Sequence, residues 1–336
     1  MTRPHLFLTH TPSALANYYG ERALAALRAV ADVHLHDSEA PWSVDTLAVA
    51  AQHCDIVISD RQAEAPAALL QRLPKLVAFV RCAVDIRNID VPAASALGVL
   101  VTRASAGFMA SVSEWVVGVM VDLSRGISAS ALQYRSGVTP AARMGRELRG
   151  STLGVIGYGQ IGRHVVALGH ALGMRVLVSD PHVNVSDAAL VQVPLQQLLA
   201  ESDHVVCLAV ATPETENLMN AAAFAAMKPS AFFINASRGN LVDEAALLHA
   251  LDSGRIAGAA LDVGRAPDQM PSLGLARHPS VIATPHIGGL TPPAIEHQSM
   301  ETARQVADIV AGRVPAGAVN GAQAHRLRER FKPRTA

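Results

Sequence analysis

Short apolar runs rich in Val, Ile, Leu and Phe alternate along this chain with longer stretches rich in Ala and Leu. The short runs predict strands at His5–His10, Asp55–Ser59, Leu76–Val80 and Val99–Thr102. Between them, Ser13–Ala31 and Ala65–Leu73 predict helices. A long apolar helix is predicted over Ser111–Ser124, and the alternation then resumes. Strands are predicted at Thr152–Ile156, Arg175–Ser179, His204–Leu208, Ala231–Asn235, Ile256–Leu261 and Ser280–Ala283, with a last helix near Pro293–Gly312. Strands separated by helices imply parallel sheets, because a parallel crossover needs a helix-sized connection. The unbroken apolar run Ala231-Phe232-Phe233-Ile234 fits a sheet covered on both faces. The predicted fold class is therefore α/β with doubly wound parallel sheets.

Length refines this to about two domains, since the chain has 336 residues. Half of the residues are hydrophobic and 17% are charged, enough apolar material for sizeable cores. Lys+Arg and Asp+Glu both number 28, so no net field draws nucleic acid or an anionic membrane. No apolar run reaches the roughly 18 residues that span a bilayer. The opening Met1–His10 reads as a lead into a first strand and not as a signal peptide. Cys54, Cys82 and Cys207 are odd in number and far apart, which matches no metal or disulfide spacing and makes a cytoplasmic location the expectation. The run Arg326, Arg328, Arg330, Lys332, Arg334 is expected to be a solvated basic tail spanning 321–336.

Candidate chemistry begins at Gly157-Tyr158-Gly159-Gln160-Ile161-Gly162, a G-x-G-x-x-G run between a strand and a helix. In such a loop Gly157 permits a tight turn, Gly159 lets backbone approach a pyrophosphate, and Gly162 lets helix and strand pack closely. The helix N-terminus adds free N–H groups and partial positive charge. Asp180 ends the next strand, where an acid binds a ribose 2′-OH, and Pro181-His182 supplies no arginine for a 2′-phosphate. The expected cofactor is NAD. Two further groups follow predicted strand ends: Arg238, a guanidinium suited to a carboxylate, and His286 on a glycine-containing turn, suited to acid/base work.

Taken together with Ala211-Thr212-Pro213-Glu214-Thr215, Met227-Lys228-Pro229, Asn235–Glu244, Gly254–Val263 and Thr284–Thr291, these motifs cover roughly residues 75–320 in order. In that order they resemble the D-isomer-specific 2-hydroxyacid dehydrogenases. The resemblance implies a Rossmann NAD-binding domain at 104–289 inserted in a discontinuous substrate domain at 1–103 and 290–320. It also implies a homodimer, with Ser111–Ser124 contributing to the interface, and a small 2-keto or 2-hydroxy acid as substrate. Position by position, Arg238 matches the clamp for the substrate carboxylate and carbonyl, and His286 the acid/base. Asp262 matches the acceptor for the nicotinamide carboxamide. Gln160, Ile161, Pro213, Ala236, Ser237, Gly288 and Gly289, and with them Arg238 and His286, match cofactor-lining positions, and Ala83 and Val84 the substrate-binding loop.

The chain departs from that pattern in three places, one of which, Leu208 where many relatives have His, has no function attached to it. The family's catalytic glutamate falls at Pro267, which cannot ionise, so the expected substitute partner for His286 is Asp268, one residue on. In the loop Arg81–Asp90, Ala83 and Asp85 replace glycines and Arg87 replaces an aspartate. Arg81 and Arg87 are then expected either to offset Asp85 or to bind a second acidic group, or all three to pair among themselves. The leading expectation is an NAD-dependent oxidoreductase. The alternative is a redox-sensing NAD(H)-binding protein of the same fold with little turnover.

Overall fold

A computed structural model describes residues 3–183 and 190–331, apart from the side chain of Asp268. The chain divides into two units, residues 1–108 with 290–336 and residues 109–289. In the first unit, β1 (His5–Leu8), β2 (Asp32–Leu35), β3 (Ile56–Ser59), β4 (Ala78–Arg81) and β5 (Leu100–Arg103) form one sheet in the order β2-β1-β3-β4-β5. In the second, β6 (Thr152–Ile156), β7 (Arg175–Ser179), β8 (Val191–Gln192), β9 (His204–Cys207), β10 (Phe232–Asn235), β11 (Gly258–Leu261) and β12 (Val281–Ala283) form a seven-stranded sheet. Its order is β12-β11-β10-β9-β6-β7-β8. Every pairing between these strands is parallel. Each sheet reverses its winding at its first strand, and doubly wound folds bind ligands at the carboxyl ends of strands near that reversal.

The expected strands β1, β3–β7 and β9–β12 form with ends shifted by up to two residues. Two strands escape the apolar pattern. β2 and β8 are edge strands with mostly exposed side chains, so burial imposes no apolar run on them. The expected helix over Ser13–Ala31 is two helices, Pro12–Tyr18 and Glu21–Val30. The break falls at Gly20, whose φ of 87° lies in the left-handed region that ends helices.

The basic run is not a solvated tail over 321–331. Leu327, on a helix at His325–Arg330, and Phe331, just past its end, are buried in the first unit's core. Arg326 donates to the carbonyls of Leu73 (3.1 Å) and Leu76 (2.9 Å), and Arg330 pairs with Asp55 at 2.7 Å. Arginines that satisfy carbonyls and a carboxylate while apolar neighbours are buried produce the charge pattern of a tail with the packing of a core helix. Lys332 and Arg334 lie outside the described residues.

Each core also encloses a histidine. His204 bonds Ser124 Oγ through Nε2 at 3.0 Å, and burial pulls its pKa down to about 4. His10 is likewise lowered to about 4, by burial first, with Asp60 opposing and Arg81 adding to the effect. Such a group stays neutral in the fold but takes up a proton in the unfolded chain below about pH 6.5. Stability from these imidazoles is therefore complete above about pH 6.5 and declines as the pH falls towards 4. We expect unfolding free energy to drop by about 2 kcal/mol per histidine between pH 7 and pH 5. Urea titrations at both pH values check this: a slope unchanged in His204→Gln would contradict the assignment.

Candidate active site

In the second unit, the carboxyl edge of the sheet carries all the candidate groups of the NAD-binding half. β6 ends at Ile156 and turns through Gly157, whose φ is 95°. A Cβ there would lie 2.8 Å from backbone atoms of Leu208 and Ala209, so only glycine fits. At Gly162 a Cβ would meet the Gly157 carbonyl oxygen at 2.2 Å, which is the close helix–strand approach. Gly159 differs from both. Nothing lies within 4 Å of its virtual Cβ, its φ is −74°, and no side chain caps the helix Gln160–Ala171 that it starts. The protein's own packing does not require glycine there, whereas a pyrophosphate seated on that helix N-terminus does. The loop therefore fits the cofactor its sequence implies.

Asp180, just past β7, is tied to this loop. It accepts from the Tyr158 N–H at 2.8 Å and from the His182 N–H at 2.9 Å, one bond on each oxygen. Each oxygen retains acceptor capacity for a hydroxyl. The Arg163 guanidinium stacks on the Tyr158 ring, 4.3 Å from its centroid, a contact the sequence pattern did not indicate.

β10 ends at Asn235, which is 1% exposed and locks the turn carrying Arg238. Its Oδ1 accepts from the Ser237 N–H (3.1 Å), and its Nδ2 donates to the Arg238 carbonyl (3.0 Å). Ser237 Oγ donates to the Ala209 carbonyl at 2.6 Å, joining this turn to the loop after β9. Asn235 was missed as a positioning residue, although an Asn at a strand end bonding its own turn is a recognisable local signal. Pro213 begins a short 3-10 helix, Pro213–Thr215, after β9.

The turn after β12 holds His286 at φ 57°, the left-handed region, which costs a residue with a Cβ roughly 1–2 kcal/mol. Asp262, at the end of β11 and 4% exposed, stabilises that turn. Its Oδ1 accepts from Thr284 Oγ (2.6 Å) and the Ile287 N–H (2.8 Å), and its Oδ2 from the Gly288 N–H (2.7 Å). Gly288 must be small, since a Cβ would lie 2.8 Å from Asp262 Oδ2. A carboxylate has about four acceptor sites, so three bonds leave room on Oδ2 for one further donor. Asp262, matched by sequence to a cofactor contact, thus also positions the acid/base candidate. Thr284 was not singled out from sequence.

Between Asp262 and Pro271 the chain doubles back, with Gly264 N–H bonding the Gln269 carbonyl (2.8 Å) and Ala266 N–H the Met270 carbonyl (3.0 Å). Pro267 is exposed at the start of a 3-10 turn, Pro267–Gln269. Asp268 occupies the middle of that turn, and its side chain lies outside the described residues. Arg265 fastens the base of the loop through Glu216 (2.8 Å) and Asn217 (2.7 Å).

In the first unit, the loop after β4 contains Ala83, Val84 and Asp85. Arg87 grips Asp85 with three side-chain bonds, Nε to Oδ1 at 3.0 Å and to Oδ2 at 3.1 Å and Nη2 to Oδ2 at 2.7 Å. Arg81 lies within electrostatic range of Asp85, whose negative charge favours its cationic form. It is fully buried and donates to the carbonyls of Asp60 and Ala63 and to Asn88 Oδ1 (2.7 Å). Burial lowers its pKa to about 10, which leaves it cationic at neutral pH as a brace for the loop. The expectation that Arg81 binds a second acidic group is therefore corrected: its place beneath the sheet edge withdraws it from solvent.

Residues 117–288 match the family described as D-isomer specific 2-hydroxyacid dehydrogenase, NAD binding domain. The chain is 35% identical over 256 residues to a D-3-phosphoglycerate dehydrogenase of Synechocystis, covering 75% of this chain and 46% of that protein. It is 34% identical over 298 residues to the D-3-phosphoglycerate dehydrogenase of Rattus norvegicus, covering 87% and 55%. It spans about half the length of these curated relatives. Among solved structures, the apo D-lactate dehydrogenase of Escherichia coli superposes with a TM-score of 0.82 at 26% identity, over 94% of this chain and 99% of the other. A pyruvate reductase of Chlamydomonas reinhardtii gives 0.81 at 25% identity, over 93% and 98%. With the glycine loop, Asp180, Arg238 and His286 on one sheet edge and the family's NAD-binding domain matched over half of the chain, this chain belongs to the D-isomer specific 2-hydroxyacid dehydrogenase family.

Proposed function

We propose that this protein interconverts a small D-2-hydroxy acid and its 2-keto acid with NAD, as a homodimer in the cytoplasm. The observation that carries the reading is the buried carboxylate of Asp262 holding His286 in a left-handed turn, on the same sheet edge as Arg238 and the glycine loop. A strained residue kept in place by three hydrogen bonds is what a positioned acid/base requires.

When bound, NAD accepts the hydride in oxidation and, reduced, donates it in reduction. Gly157, Gly159, Gly162 and the N-terminal residues Gln160 and Ile161 would hold its pyrophosphate, with Asp180 at a ribose hydroxyl. Pro213, Ala236, Ser237, Asp262, Gly288 and Gly289 are the proposed cofactor-lining positions. Arg238 is the proposed clamp for the substrate carboxylate and carbonyl, and Ala83 and Val84 are the substrate-binding positions proposed from the sequence pattern. His286 gives a proton to the carbonyl oxygen in reduction and removes it from the hydroxyl in oxidation.

Asp268 is the proposed partner that favours the charged imidazole in place of the missing glutamate. Removing that negative charge lowers the imidazole pKa. Asp268→Asn is therefore expected to move the upper pH limit of keto-acid reduction downward. An unchanged pH profile would leave His286 working without it.

The dimer reading is supported by Leu132 and Tyr134, 68% and 64% exposed on the helix Ile127–Arg135. The preceding helix, Met109–Arg125, buries Val112, Val116 and Met120. Its apolar character is thus largely explained by its own unit. Light-scattering mass measurement checks the assembly: a monomer at micromolar concentration refutes it. Among the described residues no single helix is long and apolar enough to cross a membrane, and all three cysteines are free and buried, in keeping with a reducing compartment.

The decisive experiment is NADH oxidation followed at 340 nm with glyoxylate, hydroxypyruvate, pyruvate and longer 2-keto acids. Turnover with at least one of them is expected. Tight NADH binding with no oxidation by any would favour the redox-sensing alternative, to which the exposed Pro267 at the glutamate position already points.

A further inference from the structure

The first unit has a second concentration of chemistry that the proposed reaction does not use. Parallel register pairs His5 with Asp32 and Phe7 with His34 across β1 and the edge strand β2. Paired residues in parallel strands point to the same face, and so do residues two apart. His5 and His34 are therefore diagonal neighbours on one face, with His5 Nδ1 3.1 Å from His34 Nε2. They line an open hollow of about 520 Å³ whose wall also includes His36, His53, Phe7 and Trp42.

We infer that this histidine pair is a binding site for a divalent transition-metal ion, Cu²⁺ or Zn²⁺, on the edge of the first unit. Imidazole nitrogens bind such ions at about 2.0–2.1 Å. Two of them on one metal are then roughly 2.9 Å apart at a right angle and 3.4 Å apart at the tetrahedral angle. The observed separation falls between these values, although the ring centroids lie 5.4 Å apart with the two nitrogens facing one another, so both exposed rings must turn for their lone pairs to meet one ion. Imidazole is a preferred ligand for copper and zinc, and both rings here are open to solvent. Without a metal, the same two nitrogens share one hydrogen bond, so ligation replaces that bond and leaves no buried group unpaired.

The backbone beneath the pair is already fixed. The His5 N–H donates to Asp55 Oδ2 at 3.0 Å, and Asp55 is in turn held by Arg330 at 2.7 Å. Four consecutive register pairs tie β2 to β1. The backbone is therefore ordered in advance, and only the two side chains must turn to meet one ion. Among the described residues no group of three or more His, Cys, Asp or Glu side chains is arranged to hold a metal. The site thus has two protein ligands and completes its coordination with water, leaving positions open to a further ligand.

Trp42 supplies a reporter, since its ring centroid lies 4.0 Å from that of His36, with the planes tilted by 37°, on the same hollow. The full chain is titrated with Cu²⁺ and, separately, Zn²⁺ by calorimetry, with tryptophan fluorescence and Cu²⁺ electron paramagnetic resonance as second readouts. We expect one strong site per chain, two nitrogen ligands in the resonance spectrum, quenching of Trp42, and a higher thermal midpoint with Zn²⁺. His34→Gln and His5→Gln, both at exposed positions, should each weaken binding by roughly tenfold or more, whereas His170→Gln in the second unit should not. Binding unaffected by either substitution, or no binding of either ion, would overturn the assignment. If one variant misfolds, the other decides.

Discussion

Gly159→Ala should yield a protein as stable as its parent that binds NADH about tenfold more weakly or worse. Gly162→Ala should be damaged in stability first. At 159 the backbone φ of −74° suits alanine, and no atom lies within 4 Å of the added methyl. The methyl projects into the open space above the uncapped helix N-terminus, where the pyrophosphate must approach. At 162 the methyl would sit 2.2 Å from the Gly157 carbonyl oxygen, a backbone atom that cannot swing aside. Overpacking of that kind costs about 1–3 kcal/mol or more, with each kcal/mol lowering the thermal midpoint by about 2–4 °C in a domain of this size. Calorimetry together with an NADH fluorescence titration separates the two effects. Parental NADH affinity in Gly159→Ala would remove the cofactor role given to that residue. A parental melting temperature in Gly162→Ala would remove the packing role given to the other.

His286→Asn should reduce turnover by about 10²–10⁴-fold while leaving NADH affinity and melting temperature close to the parent values. Asparagine is chosen because it tolerates the left-handed backbone that His286 adopts at φ 57°. The substitution removes the acid/base without collapsing its turn. Asp262→Asn tests the support separately. One of its two oxygens becomes an NH₂ group, which then faces a donor: Thr284 Oγ and Ile287 N–H on one side, or Gly288 N–H on the other. A lost charge-assisted bond and a donor–donor contact should loosen the turn, lowering both stability and turnover. Turnover in His286→Asn within about tenfold of the parent would exclude proton transfer by this residue.

The strands that form both cores were legible because a parallel sheet buried on two faces demands continuous apolar runs, and β3, β4, β6, β7, β9 and β10 supply them. The glycine loop was legible for a similar reason: its three glycines answer local steric and ligand demands that spacing records. The edge strands β2 and β8 were not, since their side chains are mostly exposed and burial places no apolar requirement on them, unlike the buried edge strand β5.

By itself, then, the sequence determined the α/β class, the NAD loop and the residue types at the ends of β10 and β12. Only the tertiary structure decided which groups those residues answer to. It set Asp262 under the His286 turn, took Arg81 into the base of its loop, and turned a basic terminus into a sealed helix over Asp55. The physical reason is the same in each case. A charged side chain in a sequence shows its charge but not its burial, and burial determines whether that charge meets solvent, a ligand or the chain's own backbone.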